Sequence, residues 1–154
     1  MRPVILCAAA ALALCSCVSV KTGSAPVDAG GLRESIVKTA KSALNAEYRY
    51  SGSEPGSGFD CSGLAQYVYA QAGIKIHRTA STQYRNSQKI QKKELLPGDL
   101  VFFTTYGPGV THVGVFIGEK SFIHAPSKGK RVEIADLENV YWKKAFVGAG
   151  RYIE

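Results

Sequence analysis

The sequence predicts an α+β fold in which N-terminal helices pack on a mainly antiparallel sheet of five to six strands. Two observations lead to this fold class. Before Pro97 the apolar residues recur at helical spacing, and after Gly98 the chain consists of short β-rich runs separated by turn residues. A chain of 154 residues is long enough to form one such domain around its own hydrophobic core.

Helical patterns occur in three segments of the first half of the chain. Apolar residues recur on one face of residues 32–46 and predict the first helix. A loop rich in Gly, Ser and Pro over residues 51–58 precedes a second helix over residues 61–72, which Gly73 is expected to end. Residues 79–87 predict a third, shorter helix.

Five β-rich runs follow in the second half of the chain. They are bounded by turn residues and are rich in Val, Ile, Phe and Thr, which is typical of strands. The central runs are apolar on both faces, as expected if helices cover one face of the sheet. The predicted strands are residues 99–104, 111–117, 121–125, 131–134 and 146–152.

The first 17 residues have the layout of a secretory signal peptide. Arg2 supplies the positive start, and the apolar run over residues 4–14 is too short to span a bilayer as a helix. Residues 14–17 resemble a lipobox, in which the last residue, here Cys17, is lipidated and becomes the new N-terminus. Cleavage near Ser16 without a lipid is the alternative.

The segment after the signal peptide predicts a flexible linker. Residues 18–31 are small, polar and glycine-rich, and fourteen such residues span on the order of 20 Å as a coil. A lipid on Cys17 would therefore hold the folded domain, residues 32–154, close to its membrane. The sequence predicts an exported protein of the cell envelope that is anchored in a membrane and faces the periplasm or the cell wall.

The cysteine count leaves Cys61 without a partner. Cys7 and Cys15 lie in the predicted signal peptide, and Cys17 would carry the lipid. Because an idle thiol is a liability in an oxidising compartment, Cys61 is a candidate for a chemical role. The alternative is a buried structural cysteine, since free cysteine is often buried.

The charge of the chain bears on its partners. The formal net charge is +7, which outside the cytoplasm suits an anionic polymer or a membrane surface better than nucleic acid. No basic stretch is long enough, or interleaved with enough aromatic residues, to predict RNA or DNA binding. A soluble basic surface explains the charge equally well, and we expect a monomer.

Two of the three histidines, His112 and His124, lie in consecutive predicted strands. Side chains alternate along a strand, so the two histidines share a face only if paired positions in the two strands sum to an even number. A two-residue turn at Glu119 and Lys120 would place them on opposite faces. A turn with an odd residue count, or a bulge, would bring them together.

Cys61 stands at the predicted start of the second helix. The N–H groups and dipole of a helix N-terminus stabilise a thiolate, so we expect a lowered pKa for Cys61. A neighbouring imidazole would take the proton, and a hydrogen bond to its other nitrogen would fix its tautomer. Cys61, His112 and His124 follow the order of cysteine, histidine and polar residue that papain-like enzymes use.

Five stretches of the domain resemble the NlpC-type family of bacterial cell-wall cysteine endopeptidases, which have a papain-like fold. Each stretch alone is weak evidence, but the five occur in order and with family-like spacing between about Leu32 and Tyr152. The stretches are YRYSG at 48–52, FDCSGL at 59–64, PGDLVFF at 97–103, HVGV at 112–115 and FIHA at 122–125.

The resemblance implies a peptidase that cuts peptidoglycan stem peptides, typically between γ-D-glutamate and meso-diaminopimelate. It implies that Cys61 is the nucleophile, His112 the general base and His124 the residue that orients the base. The backbone N–H of Cys61 and the hydroxyl of Tyr48 are expected to face the oxyanion. No metal and no organic cofactor are expected.

Further positions follow from the same resemblance. Asp60, Ser62 and Arg78 match positions that usually shape the substrate groove. The sequence departs from the family pattern at Ser51, where a glycine is usual, and at His77, where a proline is common. These departures leave the preferred stem peptide open.

Three other functions compete with this prediction. Cys61, His112 and His124, with His77, would be able to bind zinc, but the close-spaced ligand pairs of structural zinc sites are missing from the sequence. A lipoprotein that binds peptidoglycan without cleaving it would gain nothing from a reactive thiol. Acyltransferases of a related fold place the histidine before the cysteine, which is the reverse of the order here.

Overall fold

The computed structural model of the chain describes residues 28–153. The predicted signal peptide, Cys17 and residues 18–27 of the predicted linker lie outside this range. Within it, none of the helices has both the length and the apolar character needed to cross a membrane. The helices are α1 Ala29–Ser42, α2 Cys61–Gln71, α3 Ala80–Asn86 and α4 Val140–Ala145, with a 3₁₀ turn at Lys92–Glu94. The strands are β1 Ser53–Glu54, β2 Gly58–Phe59, β3 Gln88–Ile90, β4 Leu100–Phe103, β5 His112–Gly118, β6 Ser121–His124, β7 Glu133–Asp136 and β8 Phe146–Arg151.

The described part of the chain contains a six-stranded sheet and a small hairpin. The strands of the sheet follow the order β3-β8-β4-β5-β6-β7, and every neighbouring pair is antiparallel. Strands β1 and β2 form the hairpin between α1 and α2. The predicted α+β class, with helices preceding a mainly antiparallel sheet, is confirmed.

The first helix begins earlier than the sequence pattern predicts. Residues 29–31 were expected to belong to the linker, but they form the first turn of α1, so the predicted linker boundary at residue 31 is wrong. Asp28 starts the helix, because its carboxylate accepts a hydrogen bond of 2.7 Å from the backbone N–H of Gly31. This cap stabilises a turn that has few apolar residues of its own.

Three elements have no counterpart in the sequence predictions. The hairpin of β1 and β2 lies in the segment predicted to be a loop, strand β3 follows α3 directly, and α4 precedes β8. Each is seven residues or shorter, so its apolar periodicity is too brief to distinguish it from a loop.

The sheet separates two apolar clusters. On one face α1 and α2 pack against alternate strand residues, and the cluster includes Leu100, Phe102, Val113, Val115 and Ile123. On the other face a smaller cluster is closed by α4, and it includes Val101, Phe103, Phe116, Phe122 and Leu137. Both faces of β4, β5 and β6 are therefore buried, which explains their continuous apolar sequence.

A buried carboxylate connects the first helix to the sheet. Asp99, which is fully buried, lies 3.0 Å from Nη1 of Arg33 in α1 and 2.7 Å from Nη2 of Arg151 in β8. It also accepts a hydrogen bond of 2.8 Å from the backbone N–H of Leu96. Two guanidinium groups and a backbone amide thus compensate the cost of burying this charge.

A β-bulge sets the register between β5 and β6. Phe116 pairs with Phe122, whereas Gly118 pairs with Ser121, so the register shifts between Phe116 and Gly118. The connection is the two-residue turn at Glu119 and Lys120, both with positive φ. Without the bulge this turn would separate the histidines. With the bulge, the paired positions in the body of the strands have an even sum, and His112 and His124 share a face.

Candidate active site

Cys61 is the first residue of α2. Its neighbour Asp60 caps the helix, because Oδ1 accepts a hydrogen bond of 2.7 Å from the backbone N–H of Gly63. Gly63 has no room for a side chain, since an added Cβ would collide with the carbonyl oxygen of Gly52. Gly52 itself accepts a hydrogen bond of 3.0 Å from the N–H of Asp60. The loop of the YRYSG stretch is therefore pressed against the start of α2.

Asp60, Ser62 and Arg78 form one polar cluster beside the thiol. The Arg78 guanidinium binds Asp60 with two nitrogens, at 2.9 Å to Oδ1 and 2.7 Å to Oδ2. The same guanidinium donates to the hydroxyl of Ser62 at 3.0 Å, and that hydroxyl donates to Asp60 Oδ1 at 3.2 Å. The cluster fixes the N-terminal turn of α2, so these residues hold Cys61 in place as well as lining the groove.

Tyr48 lies beside Cys61, at the edge of the core. It is half-buried and packs against the helix-side cluster. Burial raises the pKa of its phenol, and the nearby Cys61 and Asp60 raise it further. The hydroxyl therefore stays protonated and is available as a hydrogen-bond donor.

His112 and His124 form a buried pair on the face of the sheet that α4 covers. His112 is 4% exposed and His124 is fully buried. Nε2 of His112 lies 2.9 Å from Nδ1 of His124, so one of these nitrogens carries the hydrogen and donates a hydrogen bond to the other. Because the bulge places both side chains on one face of the sheet, the two rings can form this direct hydrogen bond.

Trp142 of α4 encloses the two imidazoles. Its ring stacks on His112 at 5.6 Å between centroids with an interplanar angle of 26°, and it meets His124 edge-on at 4.8 Å. Phe103 and Phe122 complete the apolar enclosure, with ring centroids 6.2 Å from His112 and 5.1 Å from His124, respectively. The pair is therefore shielded from water and held in orientation by aromatic packing.

The thiol of Cys61 lies near the start of β5, the strand that begins with His112. Burial raises the pKa of the thiol, but the backbone N–H groups of Val113, the residue after His112, and of the first two residues of α2 lie close enough to the Cys61 sulfur to lower it in part. Burial lowers the pKa of His112, and the negative charge of Asp60 opposes part of this shift, so the start of α2 lies within electrostatic reach of this imidazole. The structure thus joins His112 to His124 directly and places Cys61 near the residue that follows His112.

Burial favours the neutral forms of all three groups. It raises the pKa of the Cys61 thiol to about 11, although the nearby backbone N–H groups oppose this shift. It lowers the pKa of His112 to about 4 and that of His124 to about 3. The lowered thiol pKa that the helix position alone predicts is therefore wrong in direction, because desolvation exceeds the effect of the helix N-terminus.

A surface groove of about 310 Å³ leads to the thiol. Its lining includes the three residues predicted to shape it, Asp60, Ser62 and Arg78, together with Cys61 and Tyr48. Two exposed tyrosines, Tyr50 and Tyr106, and residues from α3 and from the loop before β5 complete the lining. The groove is open to solvent, so a peptide chain can lie across Cys61.

The described residues do not support the alternative of a zinc site. Among residues 28–153, no group of three or more His, Cys, Asp and Glu side chains is placed to hold a metal ion. His77 lies exposed in the loop before α3, away from the buried histidine pair. Within the same range Cys61 is the one cysteine, and it is free.

Sequence reasoning missed Gln83 and Trp142. Gln83 is fully buried and donates to the backbone carbonyls of Ser62 and His77, at 2.9 and 2.8 Å, so it ties α3 to the start of α2. Trp142 lies in a short helix that the sequence pattern does not predict. Its one available signal was that it is the single tryptophan of the chain.

The sequence is similar to known proteins over the same domain that carries these residues. The sequence profile of the NlpC/P60 family matches residues 45–151. The chain is 40% identical over 146 residues to the murein DD-endopeptidase MepH of Escherichia coli K12, a match that covers 88% of this chain and 54% of that protein. It is 40% identical over 119 residues to a gamma-DL-glutamyl hydrolase of Bacillus subtilis, covering 76% of this chain and 29% of that protein. The chain thus spans about half, or less, of the length of these relatives.

A solved structure of a family member has the same fold. The fold matches the crystal structure of a Staphylococcus aureus protein of the NLP/P60 family, described as similar to a lipoprotein, with a TM-score of 0.73 and 38% sequence identity. The match covers 80% of this chain and 42% of that one. It confirms the predicted papain-like α+β fold.

The buried histidines predict a loss of stability in mild acid. Both pKa values lie below the usual 6.5, so below that pH the unfolded chain binds more protons than the folded chain. We expect full stability above pH 6.5 and a loss of about 1.4 kcal/mol per pH unit for each neutral histidine as the pH falls towards 4. Urea unfolding between pH 7 and pH 4 measures this slope.

Two variants separate the histidine pair from other acid effects. His124→Gln removes one buried imidazole and should make the slope between pH 6.5 and pH 4 shallower. His77→Gln removes an exposed histidine and should keep the wild-type slope. An unchanged slope in His124→Gln would contradict the assignment.

Proposed function

The chain belongs to the NlpC/P60 family, and from this premise we propose that it is a cysteine endopeptidase that hydrolyses the stem peptides of peptidoglycan. The single observation that carries the proposal is the placement of a free thiol at the start of α2, on the lining of an open groove and near Val113, the residue that follows His112 of the hydrogen-bonded histidine pair. The enzymes named among the relatives act on murein or on γ-glutamyl bonds, which supports the same substrate class.

The proposed reaction starts with attack of the Cys61 sulfur on the carbonyl carbon of the scissile bond. His112 takes the thiol proton and then donates it to the leaving amine, which leaves a thioester on Cys61. Water, deprotonated by His112, hydrolyses the thioester and releases the new carboxyl group. Nε2 of His112 is bound to His124, so Nδ1 is the nitrogen available to exchange these protons.

The oxyanion of the tetrahedral intermediate requires hydrogen-bond donors. The backbone N–H of Cys61 at the start of α2 and the hydroxyl of Tyr48 are the proposed donors. The raised pKa of Tyr48 supports this role, because a protonated phenol is needed. Loss of one such donor typically costs roughly 3 kcal/mol of transition-state stabilisation.

The proposed bond is the one between γ-D-glutamate and meso-diaminopimelate, for which the gamma-DL-glutamyl hydrolase among the relatives gives support. The match to a DD-endopeptidase, which extends over 88% of this chain, favours a second candidate, a DD bond such as that of a cross-link between two stems. A peptidoglycan-binding lipoprotein without activity is the third possibility.

Digestion of purified muropeptides distinguishes these candidates. We expect the wild-type domain to split uncross-linked stems between γ-D-glutamate and meso-diaminopimelate, with mass spectrometry identifying both fragments. Cys61→Ala should lose activity by roughly 10⁴-fold or more, since the nucleophile is removed. His77→Gln, at an exposed position outside the groove, is the matched control and should retain wild-type activity.

The alternative outcomes are equally specific. Release of monomers from cross-linked dimers, with uncross-linked stems left intact, would replace the DL bond by the DD bond. If neither wild type nor Cys61→Ala cleaves any muropeptide while both bind peptidoglycan, the endopeptidase proposal fails and the binding function replaces it.

We also propose that Cys17 is lipidated and anchors the domain in a membrane of the cell envelope. Support comes from the lipobox-like residues 14–17 and the positive, apolar layout of the residues before them. The full chain produced in bacteria should partition into the detergent phase of a Triton X-114 extract and incorporate labelled palmitate. Cys17→Ala should do neither, and labelling of Cys17→Ala at the wild-type level would contradict the anchor.

A further inference from the structure

The histidine pair ends in an unsatisfied polar atom. Nε2 of His124 is buried and has no hydrogen-bond partner, although the other ring nitrogen binds His112 at 2.9 Å. A buried polar atom without a partner destabilises the folded state, so such atoms call for a specific explanation.

The direction of the hydrogen bond determines what this atom needs. If Nδ1 of His112 is to accept the thiol proton, the neutral His112 ring carries its proton on Nε2 and donates it to Nδ1 of His124. Nδ1 of His124 is then an acceptor, and the proton of His124 must lie on Nε2. The unsatisfied atom is therefore an N–H donor aimed at an acceptor beyond the pair.

An acceptor lies directly opposite. Glu133 of the edge strand β7 is the cross-strand partner of His124, so both side chains project from the same face of the sheet. Its Oε1 lies 3.7 Å from Nε2 of His124, just beyond hydrogen-bonding distance. The Glu133 side chain is 52% exposed, so the surrounding protein leaves it room to rotate towards His124.

We propose that Glu133 is a positioning residue that accepts the Nε2–H of His124 and so holds the histidine pair in the tautomers that leave Nδ1 of His112 free for the thiol proton. This inference rests on the proposed function, since it assigns His112 as the base. It extends the chain of groups from Cys61, His112 and His124 to a fourth member at the sheet edge.

The proposed contact acts on the reaction in two ways. It excludes the alternative tautomer, in which Nδ1 of His124 donates to His112 and Nδ1 of His112 carries a proton and cannot accept one. It also places a negative charge beyond His124, which stabilises the positive charge that His112 gains when it takes the thiol proton.

The tautomers are directly measurable in the protein without substrate. Long-range ¹H–¹⁵N NMR spectra at pH 7 distinguish protonated from unprotonated ring nitrogens in each histidine. We expect the Nε2–H tautomer for both rings in wild type and in Glu133→Gln, whose amide oxygen still accepts the hydrogen bond. In Glu133→Ala, His124 should shift at least partly to the Nδ1–H tautomer.

Kinetics then test the effect on the reaction. Glu133→Ala should lower kcat for muropeptide cleavage about tenfold with little change in KM, and Glu133→Gln should recover most of the loss. Glu34→Ala, which removes an exposed carboxylate from α1, is the matched control and should behave as wild type. The melting temperature of each variant checks that the fold is retained.

Unchanged tautomers in Glu133→Ala, or an unchanged kcat, would overturn the proposal and leave Glu133 as a charge that protects the sheet edge from pairing. Equal loss in Glu133→Ala and Glu133→Gln with a lower melting temperature would also overturn it, since a structural role would then explain the loss. Because the NMR measurement needs no substrate, it remains decisive even if the wild-type protein cleaves no muropeptide.

Discussion

The two histidines can meet because strand β5 holds one more residue than β6 between the Phe116 pair and the hairpin turn. The two-residue turn at Glu119 and Lys120 fixes the end of the hairpin, and the bulge restores the even register behind it. Loss of that one residue would turn His124 to the opposite face of the sheet. The hydrogen bond to His112 and the packing of Trp142 against both rings depend on this register.

The thiol belongs to the helical, N-terminal half of the domain, where Cys61 is the first residue of α2. The Asp60 cap, its pairing with Arg78 and the close contact between Gly52 and Gly63 fix the first turn of α2. Burial raises the pKa of the Cys61 thiol and lowers that of the His112 imidazole, so both groups are neutral in the resting protein. Charge therefore has to develop during the reaction, next to groups that are already oriented, and not in the resting protein.

Sequence alone predicted the parts of the site that depend on local pattern. The pattern of the amphipathic helix places Cys61 at its start. Because side chains alternate along a strand, whether His112 and His124 share a face depends only on the register between their two strands. Sequence alone did not predict this register, because a bulge at Ile117 leaves no composition signal. Trp142 and the start of α1 were missed for similar reasons, since a six-residue helix and a helix turn made by a cap carry little periodicity. The raised pKa of Cys61 follows from tertiary burial, which no local pattern encodes.

Acyl transfer to Cys61 is the central claim, and acid-quenched intact-protein mass spectrometry tests it most directly. The mature domain would be mixed with an uncross-linked stem peptide and quenched within milliseconds to seconds. The account predicts a transient adduct on Cys61 with the mass of the acyl part of the substrate, released by hydroxylamine as expected for a thioester. Product formation without any adduct, or an adduct that persists in Cys61→Ala, would contradict it.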